Sequence, residues 1–208
     1  MIYRLLKRSL DVFVSAMLLL VLSPLLVIIA ALTKLSGRGP VIFRQERAGQ
    51  YGRPFTLYKF RTMRADVDPF GASPKSRCDP RLTRFGRILR ESSLDELPQL
   101  FNVLQGRMSL VGPRPLYVAQ IAEWDDNQKR RLNVKPGLTG LAQINGRATL
   151  TREQKLDLDV QYVDNRGFCR DVRILLATFG LILRRRSVYE DKYSENEYTR
   201  GQSKTAEQ

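Results

Sequence analysis

An uncharged apolar run near the N-terminus constrains this chain more than any other feature of its sequence. Residues 12–33 form 22 consecutive positions without a charged side chain. As a helix, a segment of this length crosses about 30 Å of hydrocarbon. A membrane segment is therefore predicted, with a simple spanning anchor and a cleaved signal peptide as alternatives. The signal peptide is disfavoured because the run is long and no A-x-A cleavage site follows it.

Two features argue against a straight spanning helix. Ser23-Pro24 falls near the middle of the run, where proline removes a backbone donor and serine can bond the carbonyls left unpaired. Cations flank both ends, and they are Arg4, Lys7 and Arg8 before the run and Lys34, Arg38 and Arg44 after it. Because positive residues favour the cytoplasmic side, the flanking cations favour a re-entrant helix broken at Pro24. A straight spanning anchor stays open at this point, since proline also occurs in ordinary spanning helices.

Charge and missing residue types limit the chemistry. The chain has 35 Lys+Arg against 21 Asp+Glu, a net charge of +14, which favours nucleic acid, nucleotide phosphates or anionic lipid as partners. Histidine is absent from the sequence, so imidazole catalysis is excluded and any metal is expected to be hard and oxygen-bound. Cys78 and Cys169 are isolated, which suits a reducing compartment and predicts a cytoplasmic soluble part.

The sequence after the apolar run predicts a small mixed domain. Short strands over residues 41–44 and 55–60, around a turn near residues 49–52, predict a β-hairpin. A loop rich in Asp, Pro, Gly and Ser over residues 66–80 precedes a basic amphipathic helix at 82–89. Residues 37–90 hold 13 Lys+Arg against 4 Asp+Glu, so a basic face beside the membrane is expected. Residues 172–183 are apolar but too short to span, and predict a helix that is either interfacial or packed on the domain.

The most informative stretch is SSLDELPQLFNVLQGRMSLVGPRP, residues 92–115. Ser93 and Glu96 have the spacing of a capping box, which predicts a helix with Ser93 as its N-cap. Asp95 would then lie in the first turn, where free amides and the helix dipole favour a carboxylate and allow it to approach phosphate. Adjacent helical residues project about 100° apart, so one acid could attack while the other handles a proton or a metal.

Several motifs in this order resemble one family. The run LDELPQLFNVLQGRMSLVGPRP, with YKFRTM before it and VKPGLTGLAQINGR after it, resembles the bacterial sugar transferase family, the monotopic phosphoglycosyl transferases. The resemblance covers residues 1–186 and looks like the short form of the family, a re-entrant anchor with one catalytic domain. It implies transfer of a sugar-1-phosphate from a UDP-sugar to polyprenyl (undecaprenyl) phosphate with release of UMP. The implied route is ping-pong, through a phosphosugar ester of aspartate, as the first membrane step of bacterial glycan assembly.

The resemblance also implies roles for particular residues. Asp95 is the expected nucleophile and Glu96 its partner, which either assists proton removal or orients a metal. Both acids are expected to hold Mg²⁺, or Mn²⁺ in its place, because such a cation takes carboxylate and phosphate oxygens. The cations expected at the pyrophosphate are Lys59, Arg61, Arg90, Arg114 and Arg147.

Further residues are expected to contact the rest of the substrate. Thr139, Gln143 and Asn145 have side chains that can bond uracil or sugar hydroxyls. Asp159 and Asp171 lie where the family tends to carry acids, although Asp157 and Asp164 are close enough to confuse that assignment.

The expected fold is α+β, with a re-entrant membrane helix, a small β-hairpin, interfacial amphipathic helices and a single compact catalytic domain. A chain of 208 residues with 43% apolar content is long enough for one well-buried domain and too short for two ordinary ones. The expected boundaries are 1–36 for the membrane helix, 37–187 for the catalytic domain and 188–208 for a polar tail. The resemblance implies a location at the bacterial inner membrane, with the catalytic domain on the cytoplasmic face.

Two other function classes compete with the enzyme. A membrane-tethered nucleic-acid-binding protein would account for the charge, but it leaves LDELPQL and GPRP unexplained and lacks interleaved aromatic residues. A membrane adaptor explains only the terminal segments. We therefore expect a UDP-sugar, polyprenyl phosphate and membrane lipid as partners, without nucleic acid. One sequence leaves open which sugar is used and whether the chain forms a homo-oligomer.

Overall fold

Two helices separated by a sharp bend begin the chain. In the computed structural model, which describes residues 2–67, 74, 76, 78–146 and 149–184, α1 (Ile2–Val21) and α2 (Ser23–Leu35) meet at 64°. The Ser23 hydroxyl donates to the carbonyl of Leu20 over 2.8 Å, so the bend lies at the predicted break. Among the described residues no single helix has the length and apolarity to cross a membrane, whereas this bent pair meets both conditions together. Most of the predicted loop over 66–80, Arg147 and the predicted tail lie outside the described residues.

A β-hairpin follows the helix pair, as predicted. Strand β1 (Ile42–Ala48) pairs antiparallel with β2 (Pro54–Phe60), and a short 3₁₀ turn at Gln50–Gly52 joins them. Strand β1 runs to residue 48 rather than ending at 44, because its inner side chains continue to pack. Directly opposed residues of an antiparallel pair share a face. Gln45 and Arg47 therefore lie on the same face as the buried Leu57 and Phe55.

The segment that carries the two acids departs from the prediction. Helix α3 (Arg84–Ser92) begins at Thr83, whose hydroxyl caps the amide of Gly86, and it ends at Ser93 in the left-handed conformation with φ 58°. The capping-box prediction is wrong, because Ser93 closes α3 and its side chain makes no capping bond to the next turn. Pro98 has no N–H to donate to the carbonyl four residues earlier, so a continuous helix from Ser93 is disfavoured.

A tight 3₁₀ turn therefore replaces the first turn of the expected helix. It comprises Leu94–Glu96, and α4 (Gln99–Leu104) starts only after Pro98. The turn presents Asp95 and Glu96 between α3 and α4.

A second small sheet completes the domain. Strand β3 (Ser109–Val111) pairs in parallel with β4 (Gly137–Thr139). The strands approach so closely that a Cβ on Gly137 would lie 2.1 Å from the backbone nitrogen of Gly112, which explains glycine there. The other α-helices of the described residues are α5 (Asp126–Lys129), α6 (Leu141–Ile144), α7 (Arg152–Asp164) and α8 (Phe168–Arg184), and 3₁₀ helices cover Val118–Glu123 and Arg130–Asn133.

The helix pair packs against this domain. One buried cluster joins the hairpin to α4, β3, α7 and α8, and α1 contributes Val14, Leu18 and Leu19 to its edge. A second cluster joins Ile29 of α2 to Phe60 and Leu89. The mixed α+β class with a small antiparallel hairpin is thus confirmed, and side chains of both α1 and α2 pack against the core of the domain.

Helix α8 combines features of both predicted alternatives. Ile174 is buried in the core, whereas Leu176 and Phe179 on the same helix are 70% and 66% exposed. One face of the helix therefore packs on the domain, and the opposite face leaves large apolar side chains uncovered by the described residues.

Candidate active site

The two acids of the 3₁₀ turn meet cations from distant parts of the chain. Lys59 on β2 and Arg114 in the Gly-Pro-Arg-Pro segment each donate to Oε1 of Glu96 over 2.8 Å. Oδ2 of Asp95 lies 4.0 Å from Nζ of Lys59, and among the described residues Asp95 makes no side-chain hydrogen bond. Both carboxylates are largely buried, with side chains 7% and 15% exposed. Glu96 is thus held by two cations, and Asp95 lies beside them with its oxygens uncommitted.

The two acids experience opposite electrostatic effects. Burial raises the pKa of Glu96. The charges of Arg114 and Lys59 and their hydrogen bonds lower it by more than burial raises it, so the pKa of Glu96 lies well below the usual range. Burial also raises the pKa of Asp95, and the negative charge of Glu96 adds to that effect while Lys59 opposes it, so the pKa of Asp95 stays raised. Paired groups whose pKa values are pushed apart are typical of sites with two distinct roles.

Three of the predicted cations act on this pair. Lys59 and Arg114 contact Glu96 directly, and the charge of Arg90 on α3 lowers the pKa of Asp95 against the effect of burial. Nε of Arg90 is buried and has no hydrogen-bond partner among the described residues. The site therefore carries more positive charge than its two carboxylates neutralise.

The structure places Arg61 away from the pair. Its guanidinium is 5% exposed and donates to the carbonyls of Arg38 over 2.7 Å, Gly37 over 2.7 Å and Thr33 over 3.0 Å. These carbonyls lie at the C-terminal end of α2, where a cation satisfies acceptors that the helix leaves unpaired. Arg61 therefore anchors the helix pair to the hairpin, and no described contact brings it to the two acids.

Asp159 and Asp171 are buried in structural networks. Asp159 accepts from Nε and Nη2 of Arg131 over 3.1 and 2.7 Å, and the same Nη2 donates to the carbonyl of Arg114 over 2.6 Å. Asp159 thus supports the backbone of Arg114 and does not face the acids. Asp171 accepts from Lys7 over 2.6 Å, from Tyr3 over 2.9 Å and from Tyr162 over 2.8 Å, which ties α1 to α7 and α8.

The polar residues expected at uracil or sugar bond locally. The hydroxyls of Thr139 and Thr178 lie 2.6 Å apart. Gln143 donates to the carbonyl of Leu138, and Asn145 donates to that of Leu141. Oε1 of Gln143 is buried without a partner among the described residues. No described contact brings these three residues to the acids, and Arg147 lies outside the described residues.

The two acids are also candidate ligands for a metal ion. The described residues contain no cluster of three or more His, Cys, Asp or Glu side chains that could hold a metal. Mg²⁺, however, is commonly held by one or two carboxylates together with substrate phosphates and waters. Asp95 suits such an ion because its nearest described cation is 4.0 Å away. Glu96 suits it less, because Oε1 already accepts from two cations.

Sequence reasoning missed two arginines near this site. Arg131 holds the Arg114 carbonyl, and no local pattern indicated that contact. Arg47 packs its guanidinium over the ring of Tyr117 at 3.7 Å, and its charge acts on Arg114 and Glu96. The alternation of β1 was the available signal for Arg47, because it puts residue 47 on the inner face of the hairpin.

The fold and the site together define an enzyme class. Buried, adjacent carboxylates with separated pKa values, surrounded by lysine and arginine, are typical of phosphoryl-transfer sites, and here they lie on a domain packed against a bent apolar helix pair. The family model described as bacterial sugar transferase matches residues 2–185, and the chain belongs to that family. Membership favours the enzyme over the nucleic-acid-binding and adaptor alternatives.

Curated relatives agree with this assignment. The chain is 47% identical over 178 residues to the uncharacterized sugar transferase EpsL of Bacillus subtilis, covering 86% of this chain and 87% of EpsL. It is 43% identical over 195 residues to a UDP-glucose:undecaprenyl-phosphate glucose-1-phosphate transferase of Caulobacter vibrioides, covering 88% of this chain and 72% of the relative. It is 39% identical over 201 residues to an undecaprenyl-phosphate galactose phosphotransferase of Salmonella typhimurium, covering 89% of this chain and 42% of the relative.

Proposed function

We propose that this chain transfers a sugar-1-phosphate from a UDP-sugar to polyprenyl phosphate and releases UMP. The observation that carries the proposal is the buried Asp95-Glu96 pair, in which Glu96 is bound by Lys59 and Arg114 and Asp95 has no hydrogen bond to a described side chain. Relatives from Caulobacter vibrioides and Salmonella typhimurium are named for undecaprenyl phosphate as acceptor, which supports the same acceptor here.

The proposed mechanism has two half-reactions at Asp95. The carboxylate attacks the sugar-bearing phosphorus, the bond from that phosphorus to the bridging oxygen breaks, and UMP leaves with the electron pair. An oxygen of the acceptor phosphate then attacks the same phosphorus, and the Asp95 carboxylate is regenerated. An acyl phosphate is reactive enough for this second displacement. The raised pKa of Asp95 supports the first displacement, the attack on the UDP-sugar, because a more basic carboxylate is a stronger nucleophile once ionised.

Glu96 and its cations have a different proposed role. With a pKa well below the usual range, Glu96 stays ionised and holds Lys59 and Arg114 in place beside Asp95. These cations can then bind the diphosphate without first reorganising, which is how preorganised charge lowers a barrier. Glu96 is therefore proposed as a positioning group for the phosphate-binding cations.

A divalent metal fits the same place. Asp95, with Glu96 beside it, would hold Mg²⁺ together with substrate phosphate oxygens, because carboxylate and phosphate are the ligands this ion prefers. When bound, the ion would neutralise charge that develops on the departing UMP.

We further propose that α1 and α2 form a re-entrant membrane helix, with both ends at the cytoplasmic face of the inner membrane. Support comes from the 64° bend, the cations at both ends and the exposed apolar side chains of the pair. Phe13, Leu20 and Val27 are 66%, 75% and 68% exposed to their surroundings, which suits contact with lipid.

The function is tested by product release and by mass. Purified protein with Mg²⁺ and undecaprenyl phosphate should release UMP from at least one member of a panel of UDP-sugars. Intact-protein mass after incubation with that UDP-sugar, without acceptor, should show one added phosphosugar. The Asp95→Asn variant should remain unlabelled, whereas Asp157→Asn, which changes an exposed acid on α7, should label normally. Absence of UMP from the whole panel would refute the function, and labelling of Asp95→Asn would refute the nucleophile.

A further inference from the structure

Three polar side chains, Gln45, Arg47 and Lys59, lie on the inner face of the hairpin beside its apolar core residues. On β1, Gln45 and Arg47 share a face with the buried strand residues opposite them, and Lys59 projects from that same face of β2. Lys59 ends at Glu96, while Arg47 lies four residues further along the hairpin ladder. The inner face of the hairpin therefore carries a second cation, Arg47, besides Lys59.

Arg47 is held in one orientation. Its guanidinium lies over the ring of Tyr117 at 3.7 Å, and Nη2 donates to Oε1 of Gln45. Gln45 in turn donates to the Tyr117 hydroxyl over 3.3 Å. Nε of Arg47 is buried and has no hydrogen-bond partner among the described residues. A guanidinium held in this way, with one donor still unpaired, can donate to a further anionic oxygen.

The surrounding charge points to the kind of anion. Arg47 lies within electrostatic reach of Arg114 and Glu96. Burial lowers the pKa of Arg47 to about 10, and the nearby charge of Arg114 contributes, so the group is still protonated at neutral pH. Together with Lys59 and Arg90, these arginines place four cations around two carboxylates. A cation-rich site suits the diphosphate anion, which would also relieve the repulsion between Arg47 and Arg114.

We propose that Arg47, oriented by Gln45 and Tyr117, binds the nucleotide-side phosphate of the UDP-sugar and stabilises UMP as it leaves. This inference rests on the proposed function. As the bond to the bridging oxygen breaks, its electron pair stays on the UMP phosphate, and the charge on that phosphate rises. Arg47 then donates to that oxygen and stabilises the added negative charge, as Arg114 acts on the same diphosphate.

The two half-reactions provide a sharp test. Arg47 contributes to the step in which UMP leaves and has no role after UMP has departed. Formation of the phosphosugar intermediate, followed by intact mass without acceptor, should slow about a hundredfold in Arg47→Gln, as expected for loss of one preorganised donor. Transfer from the preformed intermediate to undecaprenyl phosphate should keep its wild-type rate. Inhibition by UMP should weaken in this variant, whereas inhibition by uridine should not.

Matched variants complete the experiment. Arg44→Gln removes an exposed arginine on the opposite face of the same strand and should leave both half-reactions unchanged. Arg47→Lys keeps the charge without the planar donor set, so it should recover part of the first half-reaction and secures the test if Arg47→Gln does not fold.

Three results would overturn the inference. The first is a wild-type rate of intermediate formation in both Arg47 variants. The second is an equal loss of rate in the two half-reactions together with a lower melting temperature, because this combination indicates a structural role for Arg47. If the wild-type protein forms no intermediate and releases no UMP, the proposed function itself fails and this inference fails with it.

Discussion

The buried ion pair between Arg131 and Asp159 should support both the stability of the domain and the position of Arg114. The two side chains are 2% and 4% exposed, and removal of one partner from such a pair commonly costs about 3–5 kcal/mol. Oδ1 of Asp159 is buried without a partner among the described residues, so the native pair already carries an unfavourable contribution. The lower end of this range, a loss of about 3 kcal/mol in unfolding free energy, is therefore expected for Asp159→Asn. For a chain of this size that loss lowers the melting temperature by about 6–12 °C.

Thermal unfolding of detergent-purified protein measures this loss. The matched control is Asp164→Asn on the same helix, because Asp164 pairs with Arg130 and both side chains are substantially exposed. Exposed pairs contribute about 0–1 kcal/mol, so the control should melt close to the wild type. Equal melting temperatures for Asp159→Asn and Asp164→Asn would refute the reasoning from burial.

A double variant separates stability from positioning. Replacing a buried pair with apolar residues is often neutral, so Arg131→Met with Asp159→Leu should recover most of the lost stability. The carbonyl of Arg114 would still lack its 2.6 Å donor, so UMP release should remain low. Full activity in the stable double variant would show that Arg131 does not position Arg114.

The remaining predictions concern Asp95, the metal and the helix pair. Because the pKa of Asp95 is raised in the folded state, that state binds the proton more tightly, and its stability falls as the pH rises through the raised pKa. Asp95→Asn should therefore melt at a higher temperature than the wild type near neutral pH, and the difference should disappear in acid. A lower melting temperature of the variant near neutral pH would contradict this. UMP release should stop in excess chelator and return with Mg²⁺, and full turnover in chelator would remove the metal from the mechanism. Changing Ser23 and Pro24 to leucine should straighten the helix pair and carry residue 2 across the membrane. A single cysteine at residue 2 should then react with an impermeant thiol reagent in intact cells, and labelling of that cysteine in a chain that keeps Ser23 and Pro24 would refute re-entry. Gly39→Ala should destabilise the protein, since its Cβ would lie 2.5 Å from Nη1 of Arg61 at φ +115°, and a wild-type melting curve would show that the loop adapts.

Local patterns in the sequence predicted the parts of the fold that depend on neighbouring residues. The hairpin follows from alternation around a turn, and the bend in the N-terminal helices follows from a proline that cannot donate a backbone hydrogen bond. The capping box failed for the same kind of reason, because Pro98 limits the helix more strongly than Ser93 and Glu96 favour it. Family membership and the pairing of the two acids were also predictable, since their motifs are contiguous.

The contacts of the charged side chains were decided by the tertiary structure. Lys59 and Arg61 are two residues apart in one motif, yet Lys59 binds Glu96 while Arg61, just beyond the end of β2, binds the end of α2. Arg131 and Asp159 meet across 28 positions of sequence. A sequence determines that a side chain is cationic and how far it reaches. Which acceptor it meets depends on long-range packing, because burial without a partner is costly and each buried cation must find an oxygen that the fold brings to it.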